Sequence, residues 1–282
     1  MRSAKSTLHQ IAQAHFYLVA RLIAFLLPEH LWYRTLFRIC RVEQHLIRPL
    51  LAFTPYRDDQ RGRIILTWLV ESSLLHLISL GRAFPVPVRQ RGLDQILQSR
   101  SNAKGLVLCS VHLPLIRWGL HALVDAGVPP TAVIAHETAL NGGRISVWGT
   151  EADLPGLAAG RDVLFKVRTI LRGGGFVATL IDFDLGEPLN INMFRLVRSA
   201  GARVVFMVSE LQLDGAILIE FHSPPDPFCL SDESVVSNLL FLQAKTNGVL
   251  RRPVPPNEAA VVPANKAASQ PKVATLELDS FS

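Results

Sequence analysis

Apolar residues recur every three or four positions along the first eighty residues. Leu8, Ile11, Ala12, His15, Val19, Leu22, Ile23 and Leu26 form one such stripe, and Pro28 with Glu29 interrupts it. A second periodic run covers residues 31–51. A third starts near Asp58, a good helix N-cap, and passes through Ile64, Leu66, Trp68, Leu69, Leu74 and Leu77 to a terminating Gly81. The spacing predicts three amphipathic helices. From Phe84 the pattern changes to short β-rich runs alternating with helical ones. Strands are predicted at 86–88, 105–111, 132–136, 176–182, 203–209 and 216–221, and helices at 93–98, 114–126, 162–172 and 191–200. Alternation of this kind predicts an α/β layer, and the strands are nearly unbroken apolar runs. That suits a central, mostly parallel or mixed sheet with helices on both faces. After Arg252 the chain turns to Pro, Ala, Asn, Val and Ser, a composition that favours disorder. Three regions follow: a basic amphipathic helical region at 1–83, an α/β domain at 84–250 and a tail at 251–282.

Composition sharpens this outline. Hydrophobic residues make up 49% of the 282 and charged residues only 18%, against about 25% in typical soluble chains. With a mean hydropathy of +0.27, the chain can fill a core and still carry apolar surface. A bilayer span needs about 20 nearly uncharged apolar residues, and the best stretch, 16–28, is shorter and contains Arg21. No transmembrane helix is expected. Arg21 and the lack of a small-residue cleavage site also argue against a cleaved signal and for an interfacial helix. The net charge is +6 overall but +8 over residues 1–100, which leaves −2 for the remainder. A basic, apolar first third suits an anionic membrane surface. The arginines alternate with Leu, Ile and Phe at helical spacing and no nucleic-acid motif accompanies them, so nucleic acid is excluded as a partner. Cys40, Cys109 and Cys229 are too far apart for a zinc site or a disulfide framework, and no metal site is predicted.

Two stretches hold the candidate chemistry. In Leu106-Val107-Leu108-Cys109-Ser110-Val111-His112-Leu113-Pro114 a buried strand runs into a histidine, with Pro114 suited to the first turn of the next helix. Open α/β sheets bind ligands at the carboxyl ends of strands. His112 there is either a general base, if an acceptor holds its second nitrogen, or a structural hydrogen-bonder. In Ile181-Asp182-Phe183-Asp184-Leu185-Gly186 two carboxylates at i and i+2 follow another apolar strand, itself preceded by Gly173-Gly174-Gly175. Asp182 and Asp184 either share a ligand or cap the next helix.

The order of these features resembles the bacterial lipid A biosynthesis acyltransferases of the lysophospholipid acyltransferase superfamily. Ser110-Val111-His112 matches the first half of that family's H-x4-D/E motif, with Gly105-Leu106-Val107-Leu108 as the strand before it and Arg91-Gly92-Leu93-Asp94 as the lead-in. Asp182-Phe183-Asp184-Leu185-Gly186 resembles its D-[HQ]-D-x-G, residues 198–205 resemble its helix-SGA-strand, and Asp214-Gly215 its turn before the last core strand. The resemblance spans roughly residues 86–224. It implies a glycerolphosphate acyltransferase-like fold and transfer of a fatty acyl group from acyl carrier protein or coenzyme A to a hydroxyl of a lipid or lipid-like acceptor. The implied location is peripheral or monotopic, at the cytoplasmic face of the inner membrane. The implied roles are His112 as base and Asp182 and Asp184 as supporting carboxylates, with no cofactor beyond the acyl co-substrate. Arg117, Arg195 and Arg198 are either contacts for an anionic headgroup or carrier phosphate or solvated helix charges. The chain departs from the family where the motif's acid should stand, because position 117 is arginine, a donor that cannot accept the imidazole N–H. Glu137, Asp182 and Asp184 are the carboxylates that could compensate. The rival reading is a non-catalytic member that binds lipid or a partner protein.

Overall fold

The computed structural model describes residues 2–47, 58–81, 84–102, 105–134, 140, 142–147, 153–181 and 191–246, with side chains from 10 in the first stretch, from 62 in the second and up to 98 in the third. The tail at 251–282 lies outside the described residues. Three helices come first: α1 (Arg2–Leu26), α2 (Glu29–Ile47) and α3 (Asp58–Ile78). The periodicity placed all three, and Gly81 follows the last with φ +70°. The α/β layer then reads β1 (Val88–Arg91), α4 (Leu93–Asn102), β2 (Leu106–Ser110), α5 (Arg117–Asp125), β3 (Thr131–Ile134), β4 (Arg144–Ser146), β5 (Asp153–Ala158), α6 (Val163–Arg172), β6 (Phe176–Leu180), α7 (Asn192–Ala200), β7 (Arg203–Leu211), β8 (Ile217–His222) and α8 (Asp232–Thr246).

The eight strands form one mixed sheet in the order β1-β8-β7-β2-β6-β3-β5-β4. The middle of the sheet, from β7 to β5, is parallel, while β8 pairs antiparallel with β7 and β4 antiparallel with β5. β2 is central, with Leu106 in register with Phe176 on one side and Arg203 on the other, and all five of its residues are buried. This is why its sequence is an unbroken apolar run. Alternation along β7 separates the two faces. Phe206 meets Phe194 of α7 and Phe241 of α8, whereas a Cβ added to Gly119 of α5 would strike the side chain of Met207.

The helical region is built onto this sheet through one continuous core that runs from Phe16 and Trp32 to Phe206 and Leu242. Phe16 of α1 meets Trp68 of α3 edge to face at 5.3 Å. The Tyr33 hydroxyl donates to the carbonyl of Gly215 in the β7–β8 turn, and Arg63 pairs with Glu210 at 2.9 Å. Both contacts lie toward the carboxyl end of β7, so α2 and α3 cover the end of the sheet where β2 also finishes.

Three features differ from the sequence reading. α5 starts at Arg117 and not at Pro114, because Leu115 adopts φ +63°, which no α-helix accommodates. β4 and β5 are not among the predicted strands; β5 contains Pro155-Gly156, and the sheet accepts the pair near its margin, where one missing ladder donor is tolerated. α8 was not predicted, although Ser231 and Ser234 exchange hydrogen bonds at 3.1 Å as an N-terminal capping pair and Asp232 and Glu233 occupy the first turn.

Candidate active site

β2 delivers its last residues to a tightly folded loop. The Leu113 N–H donates to the Val111 carbonyl at 2.7 Å, closing a γ-turn centred on His112. The chain therefore reverses at the histidine itself, and the imidazole is half-buried. The Ile116 N–H then reaches the Leu113 carbonyl at 3.3 Å. That β-turn has Pro114 in its second position and left-handed Leu115 in its third, the pattern that normally demands glycine there. Leu115 is fully buried, so its side chain anchors the turn in the core while its backbone carries strain of about 1–3 kcal/mol.

Two side chains from outside the loop hold this shape. Ser209 of β7, itself fully buried, donates from Oγ to the Pro114 carbonyl at 2.7 Å. Glu71 of α3 accepts the Leu115 N–H on Oε1 at 3.0 Å. Replacing Ser209 by alanine leaves the Pro114 carbonyl without that donor and is expected to cost about 1–3 kcal/mol. Urea denaturation reads this as a lower midpoint at unchanged slope, and an unchanged midpoint would show that the loop does not depend on the bond.

Arg117 opens α5, a helix with no acid in its first turn and no side-chain cap at Ile116. A cation at the positive end of a helix dipole is poorly placed. The guanidinium is exposed to solvent, yet enough protein surrounds it that desolvation draws its pKa below the ordinary value, and the Glu71 charge pushes the other way. Glu71 thus bears on both the loop and the arginine. The sequence reading missed it. Its only signal was that it is the single acid in the mostly apolar stretch 64–78 of α3.

The other predicted residues fall elsewhere. Asp182, Asp184 and Glu137 lie outside the described residues. Ile181, the last described residue before them, donates its N–H to the Ser110 carbonyl at 2.9 Å. Arg198 is engaged with Asp232 at 3.0 Å and with the Leu230 carbonyl. That contact is beside the start of β7, where the Val204 N–H meets the Pro227 carbonyl, so Arg198 is at the opposite end of the sheet from His112. Arg195 lines a shallow seam between α7 and α8 with Ile191, Asp232, Val235 and Val236.

No cysteine offers a ready nucleophile. Burial holds Cys109 well above the ordinary thiol range, and pushes Cys40 up to about 12 and Cys229 up to about 11. Ser110 is buried with its Oγ donated to the Met207 carbonyl at 2.6 Å. Among the described residues no three His, Cys, Asp or Glu side chains gather where they could hold a metal ion. His112 is therefore the group on this loop suited to move a proton.

No family model matches this chain, and no curated protein does. A functional reading thus stands on the residues alone.

Proposed function

We propose that this chain transfers a fatty acyl group from an acyl thioester, carried by acyl carrier protein or coenzyme A, to a hydroxyl of a lipid or lipid-like acceptor. The resemblance to the lipid A biosynthesis acyltransferases motivates the chemistry. The observation that carries it is His112 at the carboxyl end of the central strand, on a turn fixed from two neighbouring elements. Neutral imidazole takes the acceptor's hydroxyl proton as the oxygen attacks the thioester carbonyl. The tetrahedral intermediate collapses, the C–S bond breaks, and the thiolate leaves with the proton returned by the imidazolium. Ester and free thiol are the products. Asp182 and Asp184 remain proposed supporting carboxylates, and Arg117 and Arg195 proposed contacts for anionic substrate groups; Arg198, already engaged with Asp232, is the weakest of these.

A long-chain donor and a lipid acceptor require a membrane, and the outer face of α1 suits one. Ile11, Leu18, Leu22, Phe25 and Leu26 lie on one side of that helix and are exposed, Phe25 by 85%, while Phe16, Ala20 and Ile23 face the core. Val42 and Leu46 of α2 add exposed apolar surface, and Arg21, Arg34, Arg38 and Arg41 are exposed as well. No helix among the described residues is long and apolar enough to cross a bilayer. We place the protein on the cytoplasmic face of the inner membrane, with this stripe in the interface and the arginines toward anionic headgroups.

Burying a Phe or Leu side chain contributes roughly 1.5–3 kcal/mol. Leu22→Glu with Phe25→Glu is therefore expected to weaken binding to anionic vesicles at least tenfold. Exposed positions of this kind shift stability by only about 0.5 kcal/mol. Vesicle flotation of the folded double variant checks this, and retention equal to wild type would remove α1 as the anchor.

A second reading rests on Arg117, a donor in the place of the family's acid. A non-catalytic lipid- or partner-binding protein could carry it without loss. Acyl transfer by the purified chain, measured with and without a hydroxylated lipid acceptor, separates the two readings.

A further inference from the structure

We infer that Glu71 is the positioning residue of His112: from α3 it holds the turn that carries the imidazole, and it sets a negative charge against Arg117 at the start of α5. This inference rests on the reading of His112 as the base. Three observations converge on it. Glu71 Oε1 accepts the N–H of Leu115, the left-handed residue on which the turn depends. Leu115 comes just before the Ile116 N-cap, so the carboxylate stands at the positive end of a helix that supplies no acid and no cap of its own. Arg117, on the next residue, is electrostatically coupled to the same carboxylate.

The physical consequence is specific. General-base catalysis needs an imidazole that can hold a proton as it forms, and a neighbouring guanidinium disfavours that form. An acid at position 117 would both orient the ring and stabilise the imidazolium. Here position 117 carries a cation where the motif's acid would stand, and the negative charge that opposes it comes from a different helix. Among the described residues, the charges on the elements packed against the turn include Glu71 from α3, Arg117 from α5 and, toward the end of β7, Glu210, which is already paired with Arg63 at 2.9 Å. Asp182 and Asp184, which follow Ile181, lie outside the described residues. Among the described carboxylates, Glu71 is the one bonded to the turn itself, so its removal is expected to change the balance at His112. Because it also anchors Leu115, its effects on geometry and charge must be told apart. Glu71→Gln does so, since the amide carbonyl can still accept the Leu115 N–H while the charge is gone.

The test uses the full chain in detergent micelles, with the His112 ring resonance identified by its loss in His112→Gln and titrated by NMR. In Glu71→Gln the His112 pKa is expected to fall by about one unit, a tenfold weaker hold on the proton. Adding Arg117→Gln should return most of that shift, because the cation that Glu71 opposed is then absent. If Glu71→Gln does not fold, Glu71→Asp is the second arm. It keeps the charge but draws it back by one methylene, and a smaller fall in the same direction is expected. An unchanged His112 titration in the folded variant overturns the inference. In a transfer assay the Glu71→Gln loss should appear in kcat with KM nearly constant, and the acid limb of the pH profile should move down with the His112 pKa. The titration needs no turnover. If it behaves as expected while wild type transfers no acyl group, the positioning role of Glu71 stands and the acyltransferase reading fails.

Discussion

His112→Ala is expected to lower acyl transfer by about two to four orders of magnitude, the usual contribution of a positioned general base. The loss should fall on kcat and kcat/KM together, because proton removal belongs to the transition state and not to substrate binding. The melting temperature should move little. The imidazole is half-buried at a strand end, and the Val111 carbonyl, the Leu113 and Leu115 amides and the Pro114 carbonyl, whose hydrogen bonds fold the turn, are all kept in the alanine variant. A variant with full activity, or one that unfolds, would make His112 a structural residue. His112→Gln separates these further, since it retains a polar group in the turn but cannot shuttle the proton.

The second large effect concerns the scaffold behind the turn. Trp118, in the first turn of α5, is 1% exposed and stacks obliquely against His121 at 5.5 Å. Trp118→Ala is expected to cost about 3–5 kcal/mol, a fall in melting temperature on the order of 10 °C for a chain of this size. Its indole Nε1 is buried and has no hydrogen-bond partner among the described residues. Burying an unpaired donor is costly, so Trp118→Phe, which removes the N–H and keeps most of the ring volume, should cost far less. Thermal unfolding of the two variants side by side checks this. Equal destabilisation would mean that the indole N–H is satisfied in solution.

The elements that were legible in the sequence are those whose burial is set by their own pattern. β2 shows as an apolar run because helices cover both faces of the sheet, and α2 shows as a stripe because Trp32, Tyr33, Leu36, Phe37 and Cys40 pack along one side. The stripe in α1 marked a helix but not its packed face, since Ile11, Leu22 and Leu26 are exposed while Phe16, Ala20 and Ile23 are buried. What was hidden depends on partners far along the chain. Pro114 reads locally as a helix start, but the helix waits until Arg117 because buried Leu115 is held left-handed by contacts from α3 and β7. β5 carries Pro155-Gly156, a pair that argues against a strand locally and that its place near the sheet's margin makes acceptable. For the site, His112 was legible as a strand-end histidine. Glu71 was not, since it is 44 residues away from Leu115 and no motif spans that distance. Arg198, a proposed contact for an anionic group, pairs with Asp232, a partner 34 residues away that no motif signals. α8 was within reach, because Ser231, Asp232, Glu233 and Ser234 announce a helix start before an apolar run.

Acyl transfer from a thioester yields two products that can be followed at once. The most direct measurement incubates the purified full-length chain with long-chain acyl-coenzyme A or acyl carrier protein donors of several chain lengths, on anionic vesicles that contain a hydroxylated lipid. Released thiol and new lipid ester are quantified together. Thiol and ester are expected in equal amounts with at least one donor, dependent on the acceptor. Absence of both products with every donor and acceptor, from a protein shown to be folded and vesicle-bound, would contradict acyl transfer and favour a non-catalytic lipid or partner binder.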